Sequence, residues 1–543
     1  MPVQLKDMNK KTTAFLLSGL VFITACKKSI EPLAKENPLA ETEESLSARP
    51  PYENPAAFSL FSTTDVGDAG AAEISAYDSR TKKLFVVNNT ANNNRIDVFN
   101  FSNPMAPQFL TSILVSPFGG LVNSLSVSNG KLAAAIEANP KTDNGKAVIF
   151  RTTDYSVVKQ VTVGALPDMI TYSPDGEYII TANEGEPNAD YSIDPIGTIS
   201  IISVERDYAV TTLDFAAFAS QEEALKAKGL RKFGPNATFA QDMEPEYVAV
   251  SSDSKTAWVT LQENNAIAKI DLRKKRISDL FPLGFKDYSL AENAIDPSDR
   301  PLGTIAFGTW PVKGVYMPDA IAVLDDEEDD REEHSDDDRR SNRIPYLFTA
   351  NEGDAREYTT FTEEVRIGSS SVVLDPVVFP NATSLKLIEN LGRLNITRTL
   401  GNTDGDAEFE SLYSFGARSF SVWNGNTGAR LFDSKNELEK KAQLANFYDD
   451  DRSDSKGVEP EGITLGKVNK RNLAFVGMER ADAVAIYDVT NPLQPVFLQI
   501  LATGDAPEGV LFISAKDSPI RRSLLVVSSE NDGVLKVYMP AGN

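Results

Sequence analysis

Short apolar runs separated by polar turns recur along the chain from residue 57 onward, and helical spacing is rare. The segment 167–204 begins Pro-Asp-Met-Ile-Thr-Tyr, and the segment 245–271 begins Pro-Glu-Tyr-Val-Ala-Val. In each, a polar turn, a second apolar run and a third one follow, and the segments 460–488 and 507–538 repeat this order. Each unit predicts four antiparallel strands over about 45 residues, which is the size of one β-propeller blade.

Seven such units can be placed along the chain. Their first strands are predicted to start at Glu73, Asn123, Asp168, Glu246, Asp319, Glu461 and Glu508. Where two starts lie far apart, the missing strands reappear later, so the extra residues are predicted insertions: 216–243, 285–316, 325–343, 355–416 and 434–457. The first insertion carries a helix-like stretch at 221–232.

The last unit supplies only three strands. Residues 58–64 match the fourth strand of other units, so we expect this N-terminal strand to complete the last blade and close the ring. The predicted fold class is therefore an all-β, seven-bladed β-propeller over residues 57–543, with loop and helix insertions on one face. A β-sandwich or an open array of the same strands remains the alternative.

The first 56 residues have a different character. Basic residues precede a short apolar run at 14–23, which ends in Ile-Thr-Ala-Cys26. This resembles a bacterial lipoprotein signal over residues 1–25 and implies lipid attachment at Cys26. An ordinary signal with an incidental cysteine is the alternative, and Met8 is a more usual start for it than Met1. Residues 26–56 are typical of a flexible tether, so we expect an extracytoplasmic protein anchored by lipid at an outer membrane or cell surface.

The composition limits the kinds of binding site and catalytic group that the chain can contain. The chain has 543 residues, a formal net charge of −24, one cysteine and one histidine. One cysteine excludes an intrachain disulfide and cysteine-rich metal sites, and the acidic charge disfavours nucleic acid. His334 lies in the acidic run 325–340, which is typical of a solvated loop on the opposite face, so no catalytic role is expected for it. We expect a monomer whose chemistry uses carboxylates, amides and hard cations.

The acids recur at structurally equivalent positions. First strands of a propeller start, and second strands end, beside the same mouth of the central channel. Carboxylate oxygens converging there repel one another unless they are neutralised, and Ca²⁺ prefers such ligands. The predicted metal ligands are Asp168, Glu184, Glu186, Glu246, Asp319, Glu352, Asp354, Asp404, Asp406, Glu461 and Glu508. The alternative is that these acids cap turns or pair with arginine and lysine.

Local motifs sharpen this prediction. The stretches Asn-Glu-Gly-Glu at 183–186 and Asn-Glu-Gly-Asp at 351–354 each place a glycine between two acids, which permits a tight turn with positive φ. Residues 402–408 alternate oxygen ligands without matching the EF-hand pattern, so a solvated turn is equally consistent. Arg418 is a candidate for binding an anion beside a metal, with a salt bridge to one of these mouth acids as its alternative.

The ordered series Glu244-Pro-Glu-Tyr, Tyr316-Met-Pro-Asp and Arg452 to Gly462, together with the two Asn-Glu-Gly turns, resembles the choice-of-anchor I family. The resemblance implies an extracellular propeller similar to the YVTN/LVIVD type, anchored here through Cys26. It fixes no activity, although some relatives are labelled alkaline phosphatase-like and the Glu-Pro-Glu-Gly stretch is similar to phytase-like propellers.

Three functions follow as hypotheses. The first is a surface propeller that binds an unidentified ligand or protein partner at an acidic mouth occupied by Ca²⁺. The second is a Ca²⁺-dependent phosphoesterase, with an acid as base and Arg418 on the phosphate. The third is a purely structural surface protein.

Overall fold

The computed structural model describes residues 52–90, 93–325 and 344–542. Regular structure in these residues is overwhelmingly strand, which confirms the all-β prediction. The signal, Cys26, all but the last residues of the tether, and His334 with nearly all of its acidic run lie outside the described residues. Among the helices that are described, none has the length and apolar character needed to cross a bilayer.

The strands follow one another mostly as antiparallel meanders. The first half of the chain contains β1 (Glu53–Asp65), β2 (Ser75–Asp78), β3 (Lys83–Asn88), β4 (Arg95–Asn100), β5 (Gln108–Leu114), β6 (Val122–Ser128), β7 (Lys131–Ile136), β8 (Asn144–Arg151), β9 (Val157–Ala165), β10 (Pro167–Tyr172), β11 (Tyr178–Asn183), β12 (Thr198–Ser203), β13 (Ala209–Leu213), α1 (Glu222–Lys226), α2 (Phe239–Asp242), β14 (Pro245–Val250), β15 (Thr256–Leu261), β16 (Ala266–Asp271) and β17 (Arg276–Pro282).

The second half has more insertions. It contains β18 (Phe285–Asp287), β19 (Lys313–Val315), β20 (Ile321–Leu324), β21 (Tyr346–Asn351), β22 (Glu357–Tyr358), β23 (Phe361–Thr362), β24 (Glu364–Arg366), β25 (Val373–Leu374), α3 (Ala382–Leu385), β26 (Asn395–Thr397), β27 (Glu408–Phe409), β28 (Tyr413–Ser414), β29 (Ser419–Asn424), β30 (Arg430–Asp433), α4 (Glu437–Ala445), β31 (Pro460–Val468), β32 (Arg471–Met478), β33 (Ala483–Asp488), β34 (Val496–Ala502), β35 (Pro507–Ile513), β36 (Leu524–Ser529) and β37 (Val534–Gly542).

Seven four-stranded sheets occur in the described residues. They are β2–β5, β6–β9, β10–β13, β14–β17, β20-β21-β29-β30, β31–β34 and β35-β36-β37-β1. The first strand of each sheet contacts the first strand of the next, in the order β2, β6, β10, β14, β20, β31 and β35, and β35 also contacts β2. The predicted first strands therefore form at or within three residues of their predicted starts and lie side by side.

Apolar side chains on both faces explain why the inner strands form. The second strand β7 is Lys-Leu-Ala-Ala-Ala-Ile, and all but its first residue are buried. Such unbroken apolar runs are typical of strands covered on both faces. Between neighbouring sheets the cores are continuous, as where Ile180 and Ile199 join the same apolar cluster as Val248 and Val259.

Strand β1 pairs antiparallel with β37, from Glu53 opposite Gly542 to Asp65 opposite Val534. The strand starts at Glu53 rather than at the predicted boundary of residue 57. The reason is that the buried carboxylate of Glu53 accepts hydrogen bonds from Arg522 Nε at 2.9 Å and from the Ser523 backbone N–H at 2.7 Å. Buried charge-assisted bonds of this kind hold the start of the strand in the sheet.

In the described part of the chain, four insertions lie between strands of the four-stranded sheets. Residues 216–243 lie between β13 and β14, residues 285–316 between β17 and β20, residues 355–416 between β21 and β29, and residues 434–457 between β30 and β31. The helix predicted over 221–232 is shorter and ends at Lys226, because Gly229 takes a φ of 106° and turns Leu230 into the core.

Candidate cation-binding site

The starts of the first strands converge on a cavity of about 370 Å³. Nine acids line it: Asp168, Glu246, Asp319, Glu352, Asp354, Glu459, Glu461, Glu479 and Glu508. Seven of them belong to the eleven predicted metal ligands. Only three basic side chains, Arg452, Lys456 and Arg480, are among the lining residues. The cavity therefore has a large excess of carboxylates in a confined volume, which is unfavourable unless protons or cations neutralise them.

Three of these acids form a compact cluster, which we call the first triad. Asp319 precedes β20, Glu352 follows β21 and Glu461 lies near the start of β31. One carboxylate oxygen from each lies within 4.8 Å of the other two. Oxygens at this separation can share one ion at the Ca²⁺–oxygen distance of about 2.4 Å. The sequence placed all three at the same mouth, and the fold brings them together.

A tight turn positions one side of the first triad. Gly353 lies between Glu352 and Asp354 with a φ of 92°. A Cβ at this position would lie 2.2 Å from the backbone nitrogen of Gly416, so no other residue fits. The positive φ expected from the Asn-Glu-Gly pattern is confirmed here, and also at Gly185 with a φ of 73°.

Burial and mutual repulsion act on every acid of the first triad. Burial raises the pKa of Asp319, Glu352 and Glu461 well above the ordinary value, and neighbouring carboxylates raise each pKa further. The Oε2 atoms of Glu246 and Glu461 are shielded from solvent and accept no hydrogen bond from any residue that the structure describes. An oxygen with neither solvent nor a donor is costly when charged, so these groups need a proton or a cation.

The same effect extends around the cavity. Burial and the charge of Glu263 raise the pKa of Asp168 to about 7. Burial also raises the pKa of Glu479 to about 7, although Arg480 opposes the shift. Outside the cavity lining, burial and Glu530 raise the pKa of Glu73 to about 8. Near neutral pH the carboxyls here exchange protons readily, so a cation could displace them.

A second triad overlaps the first. One oxygen each from Glu352, Glu459 and Glu479 lies within 4.8 Å of the others. Here the chain supplies its own cations, because Arg452 Nε donates to Glu459 Oε1 at 2.9 Å and Arg480 Nη2 pairs with Glu479 Oε1 at 2.9 Å. Glu459 is fully buried, and its Oε2 accepts no hydrogen bond but lies 3.5 Å from Arg480 Nε.

None of the described arginines forms an ion pair with the first triad. Within the described part of the chain, no arginine or lysine forms an ion pair with Asp319 or Glu461. Glu352 Oε2 instead accepts a hydrogen bond from the neutral Gln262 amide, and Glu352 Oε1 lies 3.9 Å from Lys456 Nζ. The first triad is therefore the less compensated of the two and the better candidate for a bound cation.

Four predicted ligands do not line the cavity. Glu184 is buried outside the lining, and burial, Asp168 and Glu263 raise its pKa well above the ordinary value. Glu186 pairs with Lys141 at the surface, so its carboxylate is already engaged. The sequence pattern placed both acids on one turn but carried no information about the distant lysine.

Asp404 and Asp406 also lie elsewhere. They form a separate exposed cluster in which oxygens of Asp404, Asp406 and Glu410 lie within 4.8 Å of one another. Asp404 Oδ1 accepts the Asp406 N–H at 3.1 Å, and Asp406 Oδ1 accepts the Glu408 N–H at 2.6 Å. These are the bonds of a solvated acidic turn, which was the alternative for this loop.

Arg418 is buried at 1% exposure and does not line the cavity. Its Nη1 lies 3.2 Å from Glu439 Oε1, and its Nη2 donates to the carbonyls of Ser453 and Ser455 at 2.8 and 2.9 Å. Nη1 also donates to the carbonyl of Asp296 at 3.1 Å, so the guanidinium joins the 285–316 and 434–457 insertions to β29 and does not face the cavity as the anion-binding prediction requires. Arg418 does form a salt bridge, but its partner Glu439 is not one of the acids predicted at the mouth.

The basic lining residues were not among the sequence predictions. Arg452, Lys456 and Arg480 reach the cavity from a loop before β31 and from the end of β32. A signal was present, because Arg452 and Lys456 precede the Glu-Pro-Glu-Gly stretch that was singled out. The position of the loop that carries Arg452 and Lys456 could not be predicted from spacing, because it depends on the contact of Arg418 with the Ser453 carbonyl, 35 positions away in the sequence.

Comparisons with known proteins agree with the family resemblance. A family model described as the choice-of-anchor I domain matches residues 73–492. Gigasin-3a of Magallana gigas is 28% identical over 186 aligned residues, which cover 28% of this chain and 65% of that protein. The chain thus spans just under two thirds of the length of this curated relative.

Solved structures give more distant likenesses. A chain of Kuenenia stuttgartiensis hydrazine synthase aligns with a TM-score of 0.45 and 12% identity, over 88% of this chain and 97% of its own. The WD40 domain of coronin from Toxoplasma gondii aligns with a TM-score of 0.44 and 8% identity, over 91% of this chain and 89% of its own. These values assign no function.

Proposed function

This chain belongs to the choice-of-anchor I domain family, and from that premise we propose that it is a cell-surface β-propeller. In this proposal its acidic cavity holds a divalent cation, Ca²⁺, at the first triad and binds a ligand or partner there. The family model spans well over half of the chain and includes Asp319, Glu352 and Glu461. The proposal joins that membership to the geometry of the cavity.

The proposed architecture is seven blades closed into a ring by β1. Support comes from the seven four-stranded sheets, from the cyclic order of contacts among their first strands, and from the pairing of β1 with β37. A propeller of this kind presents the starts of its first strands at one mouth, which fits the convergence of the strand-start acids. The proposed location rests on the family and on the lipoprotein-like signal that ends before Cys26.

The single observation that carries the cation proposal is the first triad itself. It combines three carboxylates within reach of one ion with the lack of any guanidinium partner among the described residues. The candidate ligands that the described residues place in the cavity lining are carboxylate oxygens, and the Gln262 side chain contacts Glu352 through its amide nitrogen. Oxygen-only sets of this kind suit Ca²⁺ rather than zinc or copper.

Calcium binding to the protein stripped with EDTA tests this proposal. We expect calorimetric titration to show binding with a Kd in the range of about 10⁻⁵ to 10⁻³ M and the thermal transition to rise with Ca²⁺. The variant E461Q should lose both effects, whereas E186Q, a surface acid paired with Lys141, should keep them. An unchanged transition and no heat of binding at about 10 mM Ca²⁺ would remove the cation proposal and favour a purely structural protein.

A second candidate function is a Ca²⁺-dependent phosphoesterase. The observation in its favour is that the two triads share Glu352, so two cations could be bridged by one carboxylate, with Lys456 beside them to hold phosphate. Arg418 is not part of this hypothesis, because it is buried and does not line the cavity. Hydrolysis of p-nitrophenyl phosphate with Ca²⁺ and with EDTA tests it, and no Ca²⁺-dependent turnover would eliminate it for that substrate class.

A further inference from the structure

Strand β5 is the outer strand of its four-stranded sheet, and one of its edges is unpaired. Its other edge pairs antiparallel with β4, from Gln108 opposite Asn100 to Leu114 opposite Arg95. Among the described elements, only β4 makes an extensive contact with β5. The backbone N–H and C=O groups along such an edge are available for hydrogen bonds with a strand of another chain.

Large apolar side chains are exposed on this strand and just before it. The exposed fraction is 58% for Phe109, 47% for Leu110 and 56% for Leu114, and Met105 in the preceding turn is 60% exposed. Covering apolar surface of this kind stabilises a complex by about 25 cal/mol for each Å² that is removed from water. The strand therefore offers both backbone groups and apolar side chains to a partner.

The edge is also free of charge. Residues 98–130 contain no acidic or basic residue, although charged residues make up 24% of the chain. On β4 the two charged residues pair with each other, because Arg95 Nε lies 2.9 Å from Asp97 Oδ1, which also accepts a hydrogen bond from Ser112 Oγ. Copies of a chain with a net charge of −24 repel one another, and an uncharged edge lets two of them approach without opposing like charges.

The equivalent outer strands of the other six sheets lack this combination. Strands β9, β17, β30 and β1 each contain at least one charged residue. Strand β13 exposes Ala209 and Thr212 but no large apolar side chain. Strand β34 is uncharged, but its Gln499 accepts from the N–H and donates to the C=O of Phe58 on β1, at 2.8 Å each, so β34 is partly covered.

We propose that β5 is an interaction surface for a second copy of this chain, and that the two β5 strands pair antiparallel across a two-fold axis. In such a pair each copy presents the same strand, so one uncharged apolar edge meets another. The pairing extends two four-stranded sheets into one through backbone hydrogen bonds. A contact the size of one short strand makes a weak dimer, with a Kd of about 10⁻⁶ to 10⁻⁴ M. The inference goes beyond the proposed function, needs no cation, and differs from the monomer expected from the sequence.

The test uses the full chain in EDTA, at concentrations below and above the expected Kd. Sedimentation velocity measures the mass, and hydrogen exchange measures the protection of individual amides. The variants are L114E and L110E, and the matched control is V496E, since Val496 is 58% exposed on the outer strand β34. Leu114 lies opposite Arg95, so the fold should accept a carboxylate there. Thermal unfolding establishes that each variant is folded.

The unaltered protein should form dimers as its concentration rises, with the amides of β5 becoming protected and those of β13 unchanged. The variants L114E and L110E should each raise the Kd at least about tenfold, because both copies then carry a like charge at the shared edge. V496E should keep the original Kd.

A monomer mass at every concentration overturns the proposal. Self-association that leaves the β5 amides unprotected, or that survives both β5 substitutions, also overturns it. If neither β5 variant folds, the exchange of the β5 amides in the unaltered protein decides the question. The cation proposal is unaffected by any of these outcomes, because all of the measurements are made in EDTA.

Discussion

Gln262 Nε2 donates a 2.8 Å hydrogen bond to Glu352 Oε2, and this bond joins the end of β15 to the end of β21. The two residues follow the second strands of neighbouring sheets, so a single neutral contact fixes the carboxylate that both triads share. With Oε2 held by Gln262, the other oxygen of Glu352 faces Lys456. Glu352 is therefore the residue whose neutralisation should affect the cavity most.

The substitution E352Q should reduce the Ca²⁺ affinity at least tenfold while leaving the apo protein as stable or more stable. An amide retains an acceptor for Gln262 but removes a charge that is buried among other acids. Calorimetry measures the affinity and denaturant unfolding in EDTA measures the stability. Loss of apo stability by more than about 2 kcal/mol would contradict the idea that Glu352 is poorly compensated without a cation.

The free energy of unfolding should depend more strongly on pH without Ca²⁺ than with it. The folded-state pKa of Asp168 and of Glu479 is raised to about 7, and that of Glu73 to about 8, whereas the unfolded values lie near 4. The native state thus retains protons that the unfolded state has lost. In EDTA, the contribution of these three groups to the free energy of unfolding should be greatest near pH 4 and should fall as pH rises to about 8.

Saturating Ca²⁺ should offset that fall, because the cation takes over from the protons and binds more tightly as they leave. Thermal unfolding from pH 5 to 8, with EDTA or with Ca²⁺, measures both profiles. Two parallel profiles would show that Ca²⁺ does not compete with protons at these carboxyls.

Gly353 should tolerate no side chain, in contrast to Gly405. Both have positive φ, 92° and 85°, but a Cβ at Gly353 would overlap the backbone of Gly416, and a Cβ at Gly405 would have nothing within 4 Å. The G405A variant should cost about 1 kcal/mol from backbone conformation alone. The G353A variant should cost at least about 2 kcal/mol more and weaken Ca²⁺ binding, because Glu352 and Asp354 must shift. Equal costs in denaturant unfolding would show that the close approach to Gly416 is unimportant.

Removing the buried cation Arg418 should destabilise the protein by about 3–5 kcal/mol, because Glu439 would remain buried without its partner. In the double variant R418M/E439Q the loss should be smaller than in R418M, since the orphaned charge is also removed. The exposed pair of Lys441 and Glu437 offers a control, and K441M should change stability by less than about 0.5 kcal/mol. Additive losses in the double variant would contradict a direct pairing of Arg418 with Glu439.

The sequence alone predicted the strand-rich fold and most of the acidic cavity, and the reason is physical. Strand starts such as Pro167-Asp168 and Pro245-Glu246 recur because each sheet presents the same edge at the same place. An acid at an equivalent position in every repeat must therefore reach a common location. The grouping of Asp319, Glu352 and Glu461 follows from this regularity.

The partners of individual charges could not be predicted in the same way. Glu186 and Arg418 resembled site residues by their position in local motifs, but Lys141 and Glu439 engage them through contacts that no repeat encodes. Lys456 was missed for the same reason, because its insertion occurs in a single repeat. The regular spacing thus predicted where the carboxylates converge. Long-range packing determines which of those carboxylates are paired with a basic side chain.

The pairing of β1 with β37 also affects the order in which the chain can fold during its synthesis. Glu53 binds Ser523, 470 positions further along the chain, so the sheet they share cannot form until nearly all of the described chain has been synthesised. Until then β1 is an unpaired strand exposed to other nascent chains. Its Phe58, Leu60 and Phe61 are interspersed with Ser59, Ser62, Thr63 and Thr64, so the unpaired strand presents apolar side chains. The interval between the synthesis of residue 65 and that of residue 534 is therefore when this protein is most vulnerable to misassembly.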